Sequence, residues 1–416
     1  MTFTVDFLST GALEWTYEEG DLTTRANRDY RPTLFVSGPD RARTALRDRL
    51  AGDPKVEALA TERWYTRLDA DEREPVLRVT VETLGDVAPL AREVRHLHEP
   101  ALGRPGTLRL YNVDLAPQFR YCLETTTPPV PRAELSTLRL ELAREALADG
   151  DLARLRVDGE RAGDSPRAAL ETLQARLRAV DPDVLVVSSA DLVPLCYERA
   201  DRCDLSAFEL GRLPGYEQLA GESTYESYGR VGHSAARYKV PGRAIVDTSN
   251  SFLWHQSGLA GILDLVGRSW KPIQETAWAS IGNVLTAIQV RMALDRDVLI
   301  PQNKWDPEDY KTVGTLHDAD RGGFTFAPAV GFHEDVYEVD FASLYPRIIT
   351  AYNISPDTVL CDCHADRADV PGLDYNVCDE RGFLADVLEP LLSARAEFKR
   401  RIAAAEEPAP AAEHPL

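Results

Sequence analysis

The segment Val336-Tyr337-Glu338-Val339-Asp340-Phe341-Ala342-Ser343-Leu344-Tyr345-Pro346 constrains this chain more than any other part of it. Apolar and polar residues roughly alternate from Val336 to Phe341, which predicts a strand that carries one carboxylate, Asp340, to its end. A turn built on Ser343-Leu344-Tyr345-Pro346 follows, and Ile348-Ile349 continue an apolar stretch. A carboxylate at the end of a buried strand suits Mg²⁺, which takes one or two protein carboxylates and fills its shell with water and phosphate oxygens. The N–H groups of the following turn can hold the phosphates. A lone Asp at a strand end is more often a cap or a surface carboxylate. The fixed order of the residues around Asp340 argues against that reading.

The chain has 416 residues, enough for two or three domains with separate cores. Residues 1–130 mix alternating stretches (Thr33–Ser37, Val76–Val81) with helical segments around Arg41–Ala51 and Asp86–His96, as in an α+β lobe closed by Thr127-Pro128-Pro129-Val130-Pro131. Between 131 and 303 a strand over Thr137–Leu142, a helix over Pro166–Val180 and a buried strand over Val184–Val187 predict an α/β domain. Asp247 to Asp295 reads as largely helical, and Val298–Pro301 closes the domain. Residues 304–382 centre on Asp340, a helix is expected over 383–405, and the Ala/Pro/Glu composition of 406–416 is that of a disordered tail.

Charge narrows the class. The chain carries 47 basic and 67 acidic residues, a net charge of −20, which argues against a generally basic nucleic-acid binder. Only six of the 47 basic residues are Lys, and acid with so little Lys resembles proteins of a salt-rich cytoplasm, where an acidic surface keeps chains soluble. A DNA groove survives in such a surface if Arg is focused there, but high salt weakens its phosphate contacts. The six Cys are too sparse for a secreted disulfide scaffold. No basic-then-apolar leader is present, and no apolar run approaches 18 residues. The expectation is a soluble, cytoplasmic protein.

Asp340 to Pro346 resembles motif A (D-x-x-S-L-Y-P) of the family B DNA polymerases. The resemblance implies Asp340 as a ligand of the catalytic Mg²⁺ pair, which clamps the attacking and leaving oxygens in phosphoryl transfer. It also implies a nucleotide site at Phe341, Ser343, Leu344 and Tyr345. Ser343 and Leu344 would offer N–H groups to the triphosphate, and Tyr345 would stack under the sugar and exclude a ribose 2′-hydroxyl. Arg395 and Lys399 fit the family's R-x-x-x-K on the first fingers helix, on one face and aimed at the triphosphate; the alternative is a solvated basic face running on into Arg400-Arg401. Arg321-Gly322-Gly323 resembles half of the family's Y-x-G-G loop, whose backbone approaches template DNA; the tyrosine position is Asp320 here.

The middle domain resembles the family's ribonuclease H-like 3′–5′ exonuclease, with a degenerate site. Two metal ions need about four carboxylates. Where D-x-E is expected the chain has Arg139-Leu140-Glu141; where N-x-x-x-F-D is expected, Asp191 fits only loosely. Where Y-x-x-x-D is expected it has Ala279 to Asn283. No proofreading is therefore expected. Cys361, Cys363 and Cys378, with His364, make a zinc set conceivable, but C-x-C-H is an uncommon spacing and ordinary palm packing is the alternative.

The resemblance is strong over 298–402 and weak before 180. It points to the divergent archaeal branch with a degenerate exonuclease, and to the N-terminal portion of such a protein, ending after the first fingers helix. K-x-x-x-N-S-x-Y-G and D-T-D, which the family requires, are not in these residues. Two functions are left open, beside a remnant with none. One is a polymerase working on primer–template DNA and dNTPs, inactive as this chain alone and completed by a second chain. The other is a non-catalytic DNA-binding or regulatory pseudoenzyme.

Overall fold

The computed structural model describes residues 2–8, 11–97, 106–129, 134–227, 230–302, 310–320, 322–323 and 325–406. Of the tail expected over 406–416, residues 407–416 lie outside the described residues, as do the start of the palm-like segment at Lys304 and Arg321. Proximity divides the chain into two compact units, residues 1–60 with 77–291, and residues 61–76 with 292–416.

In the first unit, β1 (Thr2–Leu8), β2 (Gly11–Glu18) and β3 (Asp21–Asn27) form an antiparallel meander. Gly11 opens β2 at φ 124°, and a Cβ there would meet the Asn27 carbonyl oxygen at 2.5 Å, so the close approach of β2 to the end of β3 requires glycine. The next elements are β4 (Thr33–Ser37), α1 (Asp40–Leu50), β5 (Val56–Trp64), β6 (Glu74–Val81), α2 (Leu84–His96), β7 (Arg109–Tyr111) and α3 (Pro117–Glu124). Their strands form a sheet of order β5-β6-β4-β7. Leu46 and Leu50 of α1 and Leu90 and Val94 of α2 share a core with Leu34, Val36, Leu77 and Val79 of that sheet.

The α/β part begins with β8 (Thr137–Glu141), α4 (Arg144–Ala148), β9 (Arg156–Val157), β10 (Glu160–Arg161), α5 (Pro166–Val180), β11 (Val184–Val187) and α6 (Leu192–Arg202). It continues with β12 (Glu217–Ala220), β13 (Ser223–Ser227), β14 (Arg230–Ser234), β15 (Arg237–Lys239), β16 (Ala244–Asp247), α7 (Phe252–Ser269), α8 (Ile273–Ala277) and α9 (Ile281–Asp295). Its main sheet runs β10-β9-β8-β11-β16, with β8, β11 and β16 parallel. A central parallel strand is covered on both faces, which is why β11 is an unbroken Val-Leu-Val-Val run, buried throughout. Helix α5 starts where its caps say it should: Ser165 Oγ accepts from Ala168 N, Pro166 takes the first helical position, and Asp181 ends it in the left-handed region at φ 43°. Leu170, Leu173 and Leu177 of α5 then pack in one core with Leu138, Leu140 and Leu185.

In the second unit the Tyr65 N–H donates to the Asp297 carbonyl (3.0 Å) and the Leu299 N–H to the Tyr65 carbonyl (2.9 Å), so Val298 joins a single parallel bridge rather than a full strand. Three helices follow: α10 (Val313–Ala319), α11 (Leu344–Ala351) and α12 (Phe383–Glu406). The expected strand over Val336–Phe341 does not form. A strand exists only if a neighbour takes up its N–H and C=O groups, and among the described residues nothing pairs with 336–341. The segment is open to solvent, with Val336, Val339 and Phe341 all more than 70% exposed. The expected turn at Ser343–Pro346 is confined to Ala342-Ser343; from Leu344 the chain is α11, which carries the apolar Ile348-Ile349, and Pro346 sits in its first turn, where the missing N–H costs nothing.

Helix α12 is held at its start. Phe383 N donates to both carboxylate oxygens of Asp357 (3.2 and 3.0 Å), Leu384 N to Ser355 Oγ (3.1 Å) and Gly382 N to Asn353 Oδ1 (2.8 Å). Three N–H donors at the start of the helix, which lack helical acceptors, are thereby satisfied by the loop that leaves α11, and a carboxylate faces the positive end of the helix dipole. Asp357→Ala is expected to cost about 1 kcal/mol, read as a lower urea midpoint at unchanged slope.

Candidate functional site

Asp340 lies at the end of the exposed segment, and its Oδ1 accepts from the Phe341 N–H at 2.8 Å; among the described residues nothing occupies the other oxygen, which is open to a cation. Ser343 then takes the left-handed conformation, φ 57° and ψ 50°, and turns the extended chain into α11. That conformation costs a residue with a Cβ roughly 1–2 kcal/mol, and such strain concentrates at functional sites. Leu344 and Tyr345 open α11, so their N–H groups point out of the helix start rather than into its ladder. The N–H groups of Ser343, at the cap, and of Leu344 and Tyr345 all lie ahead of the helical ladder. Tyr345 is 78% exposed and stands clear of any core.

Helix α11 packs against α12, which carries Arg395 and Lys399 on one exposed face. The neighbouring cations are neutralised within the helix: Arg401 Nε donates to Glu397 Oε1 at 2.8 Å, and Arg400 also pairs with Glu397. Among the described residues no carboxylate is placed on Arg395 or Lys399. The basic face therefore divides into a paired half and a half that remains free for an anion. Gly322, at φ 69°, donates its N–H to Asp320 Oδ1 at 2.8 Å, so Asp320 closes a tight polar turn.

In the first unit the parallel register aligns Leu140, Val187 and Asp247, so the carboxyl ends of β8, β11 and β16 share one sheet edge. Glu141 sits there, with the Arg139 guanidinium 3.6 Å from its carboxylate. Asp191 heads α6 and takes a hydrogen bond from Ser189 Oγ at 3.3 Å. Ala279 and Asn283 line a cleft of about 910 Å³ together with Arg237, Lys239, Lys271 and Trp278. Asp247 is a carboxylate at the same sheet edge that the sequence reading passed over. It is 2% exposed and occupied by Ser249, whose N–H and hydroxyl donate to Oδ1 at 2.9 and 2.7 Å. The signal was present in the run Ala-Ile-Val ending in Asp.

Cys361, Cys363, His364 and Cys378 come together, their ligand atoms all within 4.8 Å of one another, and they are the one such group of three or more His, Cys, Asp or Glu among the described residues. Neither Asp340 nor the β8–β11–β16 edge shows a comparable cluster. Hydrogen bonds to Cys361 and Cys378 push the Cys363 thiol up to about 12.

Residues 283–413 match the family model for DNA polymerase family B. DNA polymerase 2 of Saccharolobus solfataricus is 32% identical over 142 residues, 34% of this chain and 22% of that protein. A DNA polymerase of Pyrococcus glycovorans is 34% identical over 145 residues, 35% of this chain and 18% of its own length. The solved structure of the family B DNA polymerase from Pyrobaculum calidifontis superposes with a TM-score of 0.64 at 20% identity, over 99% of this chain and 64% of that one. The chain is thus related in sequence to archaeal family B DNA polymerases over its last third. The whole of it shares their mixed α/β multidomain fold, and it spans less than two thirds of the solved polymerase.

Proposed function

We propose that this chain supplies the motif A part of a family B DNA polymerase, and that its exonuclease-type domain does not proofread. In this reading residues 1–130 are the N-terminal lobe, 131–303 the exonuclease-type domain, 304–382 part of the palm and 383–405 the first fingers helix. The observation that carries the proposal is the grouping in one unit of a solvent-open Asp340, the free N–H groups at the start of α11, and the unneutralised Arg395 and Lys399 on the helix packed against it. A cation ligand, donors for phosphate oxygens and two positive charges are what a triphosphate requires. Asp340 alone fits Mg²⁺ as one carboxylate of a site that nucleotide phosphates and a further carboxylate, from outside these residues, would complete. Bound there, Mg²⁺ would supply Lewis-acid stabilisation of the transferring phosphoryl group. In this reading Tyr345, exposed beside these donors, would stack under the sugar, and Gly322-Gly323 would approach template backbone.

The test is primer extension at molar KCl by the chain together with a polypeptide carrying K-x-x-x-N-S-x-Y-G and D-T-D. Lys399→Ala is expected to raise the KM for dNTP at least ~10-fold, since a charge-assisted contact to phosphate is lost. An unchanged KM would remove Lys399 from the nucleotide site. Arg139→Asp is expected not to bring back 3′-end degradation, because position 283 is still an uncharged Asn; measurable loss of a 3′-terminal label would overturn that.

A second reading, a DNA-binding scaffold without catalysis, shares with the first the Arg139–Glu141 pair where an exonuclease would hold a cation. DNA binding by the chain, with no extension even beside the complementing polypeptide, would select it.

A further inference from the structure

We propose that Cys361, Cys363, His364 and Cys378 form a structural Zn²⁺ site that clamps the connection between α11 and α12. The inference rests on local geometry and is independent of the polymerase reading. The backbone first brings the two ends together: Val359 and Val377 form an antiparallel bridge, Leu360 N donates to the Asn376 carbonyl (3.0 Å) and Cys378 N to the Thr358 carbonyl (2.8 Å). This short pairing sets Cys378 opposite Thr358 and brings its segment alongside the chain that leads into Cys361. A single 3₁₀ turn over Asp362–His364 then folds Cys363 and His364 back over the same point.

The spacings are those of one tetrahedral ion. Zn–S near 2.3 Å and Zn–N near 2.0–2.1 Å place two sulfur ligands about 3.8 Å apart, and sulfur and nitrogen about 3.6 Å apart. Here Cys363 Sγ and Cys378 Sγ are 3.5 Å apart, and His364 Nδ1 is 3.5 Å from Cys361 Sγ and 3.1 Å from Cys363 Sγ. The separation of 3.5 Å is far from the ~2.05 Å of a disulfide, and all six cysteines are free thiols. Four ligand atoms this close leave room for one ion and not for a multinuclear cluster.

A second observation points the same way. His364 turns Nδ1 toward the sulfurs and Nε2 toward Asp379, whose Oδ2 is 3.2 Å away. A carboxylate on the far nitrogen fixes the tautomer with the proton on Nε2 and leaves the Nδ1 lone pair for a metal, the outer partner that metal-bound imidazoles generally have. Asp379 is itself held by Arg367 Nη1 at 2.8 Å. Asn376, buried, reaches the Cys361 carbonyl at 2.6 Å and its sulfur at 3.7 Å, a donor suited to a thiolate. The uncommon C-x-C-H spacing works because the ring of His364 swings away from its own backbone to meet the sulfurs through Nδ1.

The experiment uses the tag-free chain, purified reduced, exchanged with Zn²⁺ or Co²⁺ and freed of unbound metal. The expected result is about one Zn²⁺ per chain. With Co²⁺ the unsubstituted chain should show the thiolate charge-transfer and intense visible bands of a tetrahedral sulfur site. Cys363→Ser and Cys378→Ser should lose both signals, while Cys203→Ser, at the end of α6, keeps them. Asp379→Asn should fold normally and bind Zn²⁺ about 10–100-fold more weakly. Reduced chain that takes up no Zn²⁺ and shows no cobalt bands overturns the site, as does a Cys363–Cys378 disulfide that persists while zinc is refused. Zinc retained at full affinity in both Cys variants would place the metal elsewhere and equally overturn it.

Discussion

Asp340→Asn, assayed beside a polypeptide carrying the D-T-D motif, is expected to lower primer extension by at least ~10³-fold, about 4 kcal/mol of transition-state stabilisation. The substitution keeps size and one carbonyl-type oxygen and removes only the charge, so it isolates the carboxylate's attraction for a divalent cation. Structure at this position gives little else to lose. Asp340 is exposed, and among the described residues it accepts one hydrogen bond, from the adjacent Phe341 N–H. The melting temperature of the variant should therefore match that of the unsubstituted chain, and a loss of extension with unchanged melting assigns the effect to chemistry. Extension within ~10-fold of the original would sink the role given to Asp340. An equal fall in melting temperature and activity would instead mean that the 336–341 segment is part of the fold, contrary to its exposure.

How much of this could be read from the residues depended on whether the information was local. Helix α5 was legible to its ends because its cap, its Pro and its apolar spacing are neighbours in sequence, and β11 because four apolar residues between turns have few other fates. The strand at Val336–Phe341 was misread for the opposite reason: alternation marks a segment able to pair, whereas pairing is a property of a neighbour. The left-handed Ser343 was hidden too, since nothing in Ser-Leu-Tyr-Pro announces a positive φ. Arg395 and Lys399 were placed on one face by spacing alone, but that Glu397 would neutralise Arg400 and Arg401 and leave them free needed side-chain positions. For the cysteines, spacing alone pointed to packing; what makes the cluster is the Val359–Val377 bridge, a contact 18 residues apart that no periodicity signals.

The largest stability effect is expected at Asp183, a carboxylate with no solvent exposure at the start of β11. It accepts from Tyr17 Oη (2.6 Å), Ser136 N (2.9 Å), Ser136 Oγ (3.1 Å) and Arg212 Nη2 (3.0 Å). Arg212 is almost buried, lies over the Trp15 ring with Cζ 5.9 Å from its centre, and shares Asp181 with the nearby buried Arg243. Asp183→Ala leaves two buried guanidinium groups facing one carboxylate and removes the acceptor shared by the Tyr17 hydroxyl, Ser136 N and Ser136 Oγ. Breaking such a buried pair costs about 3–5 kcal/mol, a third or more of the stability of many domains. Tyr17→Phe removes one hydrogen bond and should cost only about 1 kcal/mol. Burial, then the hydrogen bond to Asp183, holds the Tyr17 hydroxyl well above its ordinary pKa. A folded value above the unfolded one gives stability that is complete below about pH 10 and is lost as pH rises through the folded value. Urea denaturation at fixed KCl between neutral pH and pH 11 tests both parts: the unsubstituted chain should weaken above pH 10, and Tyr17→Phe should weaken less steeply. If Asp183→Ala lowered stability by less than about 1 kcal/mol, the four donors would have found water, and the carboxylate could not be what joins the meander to the α/β sheet.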